Sequence, residues 1–167
     1  ARDGQGYVLA DLSGRFSVDT WGRLAVQAHD ELEADAIIAE VNNGGDLVAS
    51  VVRNAAAAMH REGKRSTAQV RVIQVRASRG KATRAEPIAG LYEQGRVHHV
   101  GTLARLEEQW TTWAPGVSRW SPDRLDACVW GLSDLMLGAG VVDVTKLRAA
   151  QAAMANLGEH PDRHRYG

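Results

Sequence analysis

The chain has 167 residues, of which 44% are apolar and 24% are charged, and its 20 basic residues balance its 20 acidic ones. This composition is typical of one folded domain with a short appendage, and it excludes a disordered chain. Because the net charge is zero, binding to a nucleic acid would require a local concentration of basic residues.

Three further features of the sequence concern its cellular setting. Cys128 is the single cysteine, which excludes an intramolecular disulfide and favours a reducing compartment. No uncharged apolar run approaches the roughly 18 residues that a membrane span needs. The first residues contain neither Met nor a signal-peptide core, so we expect the chain to have been cut from a longer protein.

Apolar periodicity predicts alternating strands and helices in the first half of the chain. A glycine-rich hairpin turn is predicted over residues 3–6, and it requires a partner strand before Ala1. Ser17 is the expected N-cap of the first helix. Strands are predicted at residues 7–12, 36–41 and 70–76, helices at residues 19–33 and 46–61, and a turn at residues 42–45 (NNGG).

The second half continues the alternation. Residues 78–94 are predicted to begin as a basic loop and to become helical around Glu86 and Pro87, because proline suits a first helical turn. The clearest helix start has Ser121 as N-cap, Pro122 at the first helical position and Trp120 packed against Leu125. The other predictions are a strand at 97–100, helices at 102–110 and 121–137, a loop at 111–121, a weak amphipathic helix at 145–157 and a disordered tail at 158–167.

These elements predict an α/β fold with helices flanking the sheet. The opening hairpin would make that sheet mixed rather than purely parallel. We assign residues 1–140 to one domain and residues 141–167 to a C-terminal appendage. A phosphate-binding loop of the Walker type is excluded, because Gly63 and Lys64 lack the earlier glycine of that motif.

Glu40 ends an otherwise apolar predicted strand. A carboxylate buried there costs several kcal/mol unless a cation or hydrogen-bond donors meet it. One interpretation is that Glu40 lies at the wet end of the strand and pairs with a nearby arginine. The other is an active-site acid, because the sites of open α/β sheets cluster at these strand ends.

Asp123 and Asp126 are three residues apart at the start of the helix predicted over residues 121–137, so both lie on one side of it. Two neighbouring carboxylates repel each other unless a metal ion or the helix dipole offsets the repulsion. One interpretation of Asp123 is that its carboxylate only interacts favourably with the helix dipole in the first turn. Asp126 is the stronger functional candidate, because an apolar stripe of Leu125, Val129 and Leu132 would hold it beside the core.

A basic segment lies between the predicted strand at 70–76 and the next helix. Its small intervening residues would let a phosphate backbone approach, although a solvated basic loop is an equal alternative. The basic residues of this segment are Arg76, Arg79, Lys81 and Arg84.

His98 and His99 are adjacent and point to opposite faces of a strand, so they do not form a metal-binding pair. Trp110, Trp113, Trp120 and Trp130 are interpreted as core or loop anchors rather than as a base-stacking surface.

Three segments in this order and spacing resemble the C-terminal nuclease domain of the large terminase subunit of tailed bacteriophages. They are residues 39–45 (AEVNNGG), 76–81 (RASRGK) and 121–127 (SPDRLDA). The resemblance extends over about residues 6–137, including 7–14 (YVLADLSG) and 91–97 (LYEQGRV).

The resemblance implies a ribonuclease H-like fold and an endonuclease that cuts concatemeric double-stranded DNA with two Mg²⁺ or Mn²⁺ ions. Carboxylate oxygens are the ligands such hard cations select. By resemblance Glu40 and Asp126 are metal-binding catalytic acids, Asp123 is an auxiliary one, and Arg79 and Lys81 contact the DNA backbone. The implied partners are the terminase ATPase domain, the small terminase subunit and the portal, in the cytoplasm of the infected host.

One departure from the family pattern concerns the first metal-binding aspartate. In the family this residue lies on the central first strand, which would end just before Ala1, and Asp11 is too far along the chain to replace it. Two other hypotheses therefore remain. One is a catalytically silent module that grips DNA or docks on the portal, and the other is a related ribonuclease H-like enzyme such as a junction resolvase.

Overall fold

The computed structural model describes residues 3–41, 47–77 and 80–138. These residues fall into two compact units, which we call the first unit (residues 3–13 and 80–138) and the second unit (residues 14–41 and 47–77). The elements in chain order are β1 (Gly6–Val8), α1 (Val18–Glu31), β2 (Ile37–Glu40), α2 (Leu47–Arg61), β3 (Val72–Val75), α3 (Lys81–Glu93), β4 (Val97–His99), α4 (Ala104–Thr112), α5 (Asp123–Leu132) and a π-helical turn (Ser133–Leu137) that continues α5.

The second unit is a pair of helices packed on two parallel strands. Strands β2 and β3 pair from Ile37 opposite Val72 to Glu40 opposite Val75. Helices α1 and α2 pack closely at Gly22, where a Cβ atom would meet the Val51 side chain at 2.8 Å. The apolar faces of these helices enclose a core of Val26, Val52, Ala55, Ala56 and Met59.

In the first unit, helices α3, α4 and α5 surround the strand pair β1 and β4. Strands β1 and β4 are parallel, with Gly6 opposite Val97 and Val8 opposite His99. Helix α5 contributes its apolar stripe to the core and contacts α3 and α4. This core consists of Ala85, Ile88, Leu91, Val97, Leu125, Val129 and Leu132, with Trp110 and Trp113 packed against it.

The structure confirms the α/β class and the predicted alternation of elements, with boundaries that differ by a few residues. Ser17 is the N-cap of α1, since its side chain accepts a hydrogen bond from the Thr20 amide. Both pairings among the described strands are parallel. The hairpin predicted at residues 3–6 would add an antiparallel pairing and make the sheet mixed. No such pairing is found among the described strands.

Two predicted helix starts were wrong. Helix α3 begins at Lys81, five residues before the predicted start at Glu86, so Pro87 lies inside the helix. Burial of Ala85 and Ile88 on either side of Pro87 outweighs the local cost of the proline. Pro122 rather than Ser121 is the N-cap of α5, and the hydroxyl of Ser121 binds Asp123 and Lys81 instead.

Several predictions concern residues outside the described ranges. They are the turn at 42–45, Arg79, the helix at 145–157, the tail at 158–167 and the domain boundary after residue 140. Within the described ranges, no helix is both long enough and apolar enough to cross a membrane.

Candidate active site

Asp126 is the buried acid of the first unit. It lies in the first turn of α5 and is only 4% exposed. The neighbouring positions Leu125 and Val129 enter the core, so the helix holds the carboxylate beside packed apolar residues. The predicted apolar stripe of this helix is confirmed, and burial of a charge there requires compensation.

Arg84 and Lys81 supply that compensation from the first turns of α3. The Nη2 atom of Arg84 donates to both carboxylate oxygens of Asp126, at 2.6 Å to Oδ1 and 2.9 Å to Oδ2. The Nζ atom of Lys81 is 3.4 Å from Oδ2 of Asp126. Because α3 and α5 pack against each other, their first turns bring two cations onto one buried carboxylate.

Asp123 extends the same network toward solvent. Its Oδ1 atom accepts hydrogen bonds from the Ser121 hydroxyl at 2.6 Å and from Lys81 Nζ at 3.1 Å. The Ser121 hydrogen bond and then Lys81 hold the pKa of Asp123 below its ordinary value. Burial alone would lower the pKa of Lys81, but the hydrogen bond to Asp123 and the charge of Asp126 outweigh it and raise that pKa.

The Arg84 guanidinium also contacts an aromatic ring. Its central carbon lies 4.8 Å from the centre of the Trp130 ring, a distance at which the ring face attracts a cation. Trp130 is one helical turn beyond Asp126 on α5. Two residues of α5 therefore hold the Arg84 side chain, Asp126 through an ion pair and Trp130 through its ring. Trp120, just before Ser121, is 44% exposed.

Glu40 belongs to the second unit. It is half-buried at the end of β2, opposite Val75 of β3. This placement at a strand end agrees with the sequence analysis. Arg76 follows β3 and is exposed. Of the four predicted DNA-contacting residues, Lys81 and Arg84 lie on a helix of the first unit and engage acids, so they do not form the free basic loop that we expected.

The donor chemistry of these acids fits a hard divalent cation, because such ions prefer carboxylate oxygens. Their present arrangement does not. Both oxygens of Asp126 are engaged by Arg84, and among residues 3–41, 47–77 and 80–138 no group of three or more acidic, histidine or cysteine side chains is placed to hold a metal ion. The first unit thus shows an acid held by protein cations.

Two contacts that position α5 have no signal in the local sequence. Arg124 forms an ion pair with Asp11, which follows β1, and also donates to the Ser13 carbonyl. The Oε1 atom of Gln109 accepts hydrogen bonds from the backbone amides of Arg124 and Leu125, each at 3.0 Å. Gln109 therefore satisfies amides at the start of α5 that Pro122 cannot cap. No local sequence signal reports a cap supplied from another helix.

The two adjacent histidines have different partners. His98 stacks on Tyr7 and contacts the Gln5 side chain. His99 lies between the Tyr92 hydroxyl, at 2.7 Å from Nε2, and Glu107, at 3.0 Å from Nδ1. This inward chain of polar groups anchors β4 to α3 and α4, and burial raises the pKa of the Tyr92 hydroxyl.

Within the described residues, parallel strands alternate with helices, and α5 carries a buried acid in a charged network at the first turns of α3 and α5. These features define an α/β protein with a candidate acidic site. Residues 2–135 match a family model described as the terminase RNaseH-like domain. The chain therefore belongs to this family, the ribonuclease H-like nuclease domains of terminases, which package DNA in bacteriophages. The searches of curated proteins and of solved structures gave no match.

Family membership confirms the resemblance that the three sequence segments indicated. It gives the chain a ribonuclease H-like fold, and it implies DNA and the packaging machinery as partners and a divalent metal as the usual cofactor of the family. The roles of individual residues stay predictions.

Proposed function

We propose that the chain is the nuclease domain of a large terminase subunit and cuts concatemeric double-stranded viral DNA. The observation that carries the proposal is Asp126, a buried acid next to phosphate-binding residue types in a chain of this nuclease family. A buried carboxylate that is retained against its desolvation cost is a candidate for function.

The proposed catalytic acids are Glu40 and Asp126, with Asp123 as an auxiliary acid. They would hold a pair of divalent cations, Mg²⁺ or Mn²⁺. When bound, such ions supply an activated water and stabilise the leaving 3′ oxygen of the phosphodiester. Glu40 lies in the second unit and Asp126 in the first.

The basic residues would bind the DNA backbone. Lys81 and Arg84 already lie beside the acids of α5, and guanidinium and ammonium groups are the usual partners of phosphate oxygens. Arg76 and Arg79 would extend this contact along the duplex. Exposed Arg76 is available for a contact that is independent of sequence and sensitive to salt.

The proposed setting is the cytoplasm of the infected bacterial host. There the domain would act with the terminase ATPase domain, the small terminase subunit and the portal. These partners would determine when the nuclease reaches the DNA, at the start and the end of packaging.

A plasmid assay tests the nuclease. The full-length gene product should nick or linearise plasmid DNA in the presence of Mn²⁺, and EDTA should abolish this activity. Glu40→Ala and Asp126→Ala should each lower the cleavage rate by at least 100-fold. Glu93→Ala is the matched control, since Glu93 is an exposed acid at the end of α3, and it should cleave normally. Cleavage that survives the changes at Glu40 and Asp126 would refute the assignment of these acids.

The engaged state of Asp126 favours a second candidate, a module that binds DNA or the portal without cutting. Both oxygens of this acid are bound by Arg84, as in a structural ion pair. This candidate predicts salt-sensitive duplex binding in a gel-shift assay, with intact plasmid under every metal condition. Cleavage by the wild-type protein excludes it.

A further inference from the structure

The segment between α4 and α5, which we call the α4–α5 loop (residues 113–122), presents apolar side chains to solvent. Val117 is 78% exposed and Trp120 is 44% exposed, whereas Trp113 packs against the core of the first unit. A large apolar side chain left in water forgoes the stabilisation that burial would give. A group of such side chains on one loop therefore indicates a binding surface.

Hydrogen bonds within the loop hold these side chains in place. The carbonyl of Ala114 accepts hydrogen bonds from the amides of Val117, at 3.1 Å, and Ser118, at 2.9 Å. The Ser118 hydroxyl in turn accepts a hydrogen bond from the Ala114 amide at 3.0 Å. Gly116 has a positive φ of 77°, which a glycine adopts without strain. The loop is thus a closed turn, so a partner would bind it at a small cost in conformational entropy.

Arg119 adds a positive charge to this surface. Its side chain is exposed, and within the part of the chain that the structure describes no hydrogen bond or ion pair engages it. The sequence has no acid between Glu108 and Asp123, and Asp123 is paired with Lys81. The loop therefore combines an unpaired guanidinium with an exposed aromatic ring, a combination that suits the phosphates and the ring faces of a nucleic acid.

The end of the loop adjoins a proposed DNA contact. The hydroxyl of Ser121, the residue after Trp120, accepts a hydrogen bond from Lys81 Nζ at 2.8 Å. Because consecutive Cα atoms are about 3.8 Å apart, Arg119 and Trp120 lie within about 8 Å of Ser121 along the backbone. A duplex bound at Lys81 would pass close to both residues.

We propose that the α4–α5 loop binds DNA, with Arg119 on a phosphate and Trp120 packed against a neighbouring nucleotide. The inference rests on the proposed function and names a further contact for its DNA substrate. Arg119 would act through its charge and depend on salt, whereas Trp120 would act through apolar contact and be insensitive to salt. A protein partner is the alternative occupant, because tryptophan and arginine are also enriched in protein interfaces.

Fluorescence anisotropy of a labelled duplex tests the inference in the full-length gene product, with EDTA present so that the DNA is not cut. The dissociation constant is measured over a series of salt concentrations. Trp120→Ala should weaken binding about fivefold at every salt concentration, and Trp120→Phe should bind nearly as the wild type does because it keeps a ring. Arg119→Gln should weaken binding about threefold at low salt and reduce the salt slope by about one.

Two exposed residues of the second unit provide matched controls. Arg53→Gln removes the same charge from α2, and Val18→Ala shortens an apolar side chain that is 61% exposed at the start of α1. Both should bind the duplex as the wild type does. Urea unfolding should give all variants the wild-type midpoint, since exposed side chains contribute little to stability. If Trp120→Ala fails to fold, the salt slope of Arg119→Gln decides alone.

Two results would overturn the inference. One is that both loop variants bind the duplex as tightly as the two controls do, which would leave a protein as the occupant of the loop. The other is that Arg53→Gln weakens binding and reduces the salt slope as much as Arg119→Gln does. If either occurs while Mn²⁺-dependent plasmid cleavage persists, only the loop contact fails. If the wild-type protein neither binds duplex nor cleaves plasmid, the proposed nuclease function fails with it.

Discussion

Asp11 shows how a single residue positions the helix that carries the candidate acid. Its carboxylate accepts hydrogen bonds from Arg124 on α5 and from the backbone amide of Ser13. Both side chains of the ion pair are largely buried. Burial alone would raise the pKa of Asp11, but the hydrogen bonds from Ser13 and Arg124 outweigh it and lower that pKa.

Asp11→Ala should therefore destabilise the fold by about 1.5 to 3 kcal/mol, the usual range for a hydrogen bond to a charged partner. The lowered pKa means that the ionised carboxylate stabilises the folded state above its ordinary pKa of 3.8, and that this contribution is lost as the pH falls through the lower folded-state value. Urea unfolding of both proteins at neutral and acidic pH measures the difference, which should shrink in acid.

The control for this prediction is Glu93→Ala, an exposed acid that should change the free energy of unfolding by less than about 0.5 kcal/mol. A pH-independent difference between the wild type and Asp11→Ala would contradict the ion-pair explanation, because it would point to lost packing instead.

At the scale of elements, the start of α5 is stabilised by a residue of α4. Gln109 accepts hydrogen bonds from two backbone amides of the first turn, while Pro122 at the N-cap has no side chain that can accept one. The remote glutamine thus does what a serine or aspartate N-cap usually does. Asp123 and Asp126 add negative charge in the same turn, where the helix dipole favours it.

Gln109→Ala should lower the free energy of unfolding by about 1 kcal/mol, the typical loss when a helix cap is removed. Gln109→Glu keeps the acceptor oxygen and adds a favourable charge at the helix start, so it should retain wild-type stability. Urea titrations compare the three proteins. Equal losses in both variants would show that the packing of the amide group, rather than capping, is responsible.

The sequence predicted most elements because each is encoded locally. The Ser17 cap and the apolar stripe of α5 are patterns within one helical turn or two, and both are confirmed. The start of α3 was misplaced because Pro87 is a strong local signal, whereas burial of Ala85 and Ile88 is a tertiary effect. The Gln109 cap was missed for the same reason.

At the scale of the whole molecule, sequence spacing selected candidate acids but did not predict their partners. Asp126 was a candidate because of its place beside an apolar stripe. Its pairing with Arg84 joins residues 42 positions apart, and only the packing of α3 on α5 brings them together. The DNA contacts predicted for the basic segment stay a prediction, and its Lys81 and Arg84 pair with Asp123 and Asp126.

The central claim is our proposal that Glu40 and Asp126 are both ligands of divalent metal ions. Titration of the isotope-labelled chain and a short duplex with Mn²⁺ tests it most directly, because a bound paramagnetic ion broadens the amide signals nearest to it. This proposal predicts that the signals around Glu40 and those around Asp126 both broaden. Broadening at only one of them, or at neither, would contradict it.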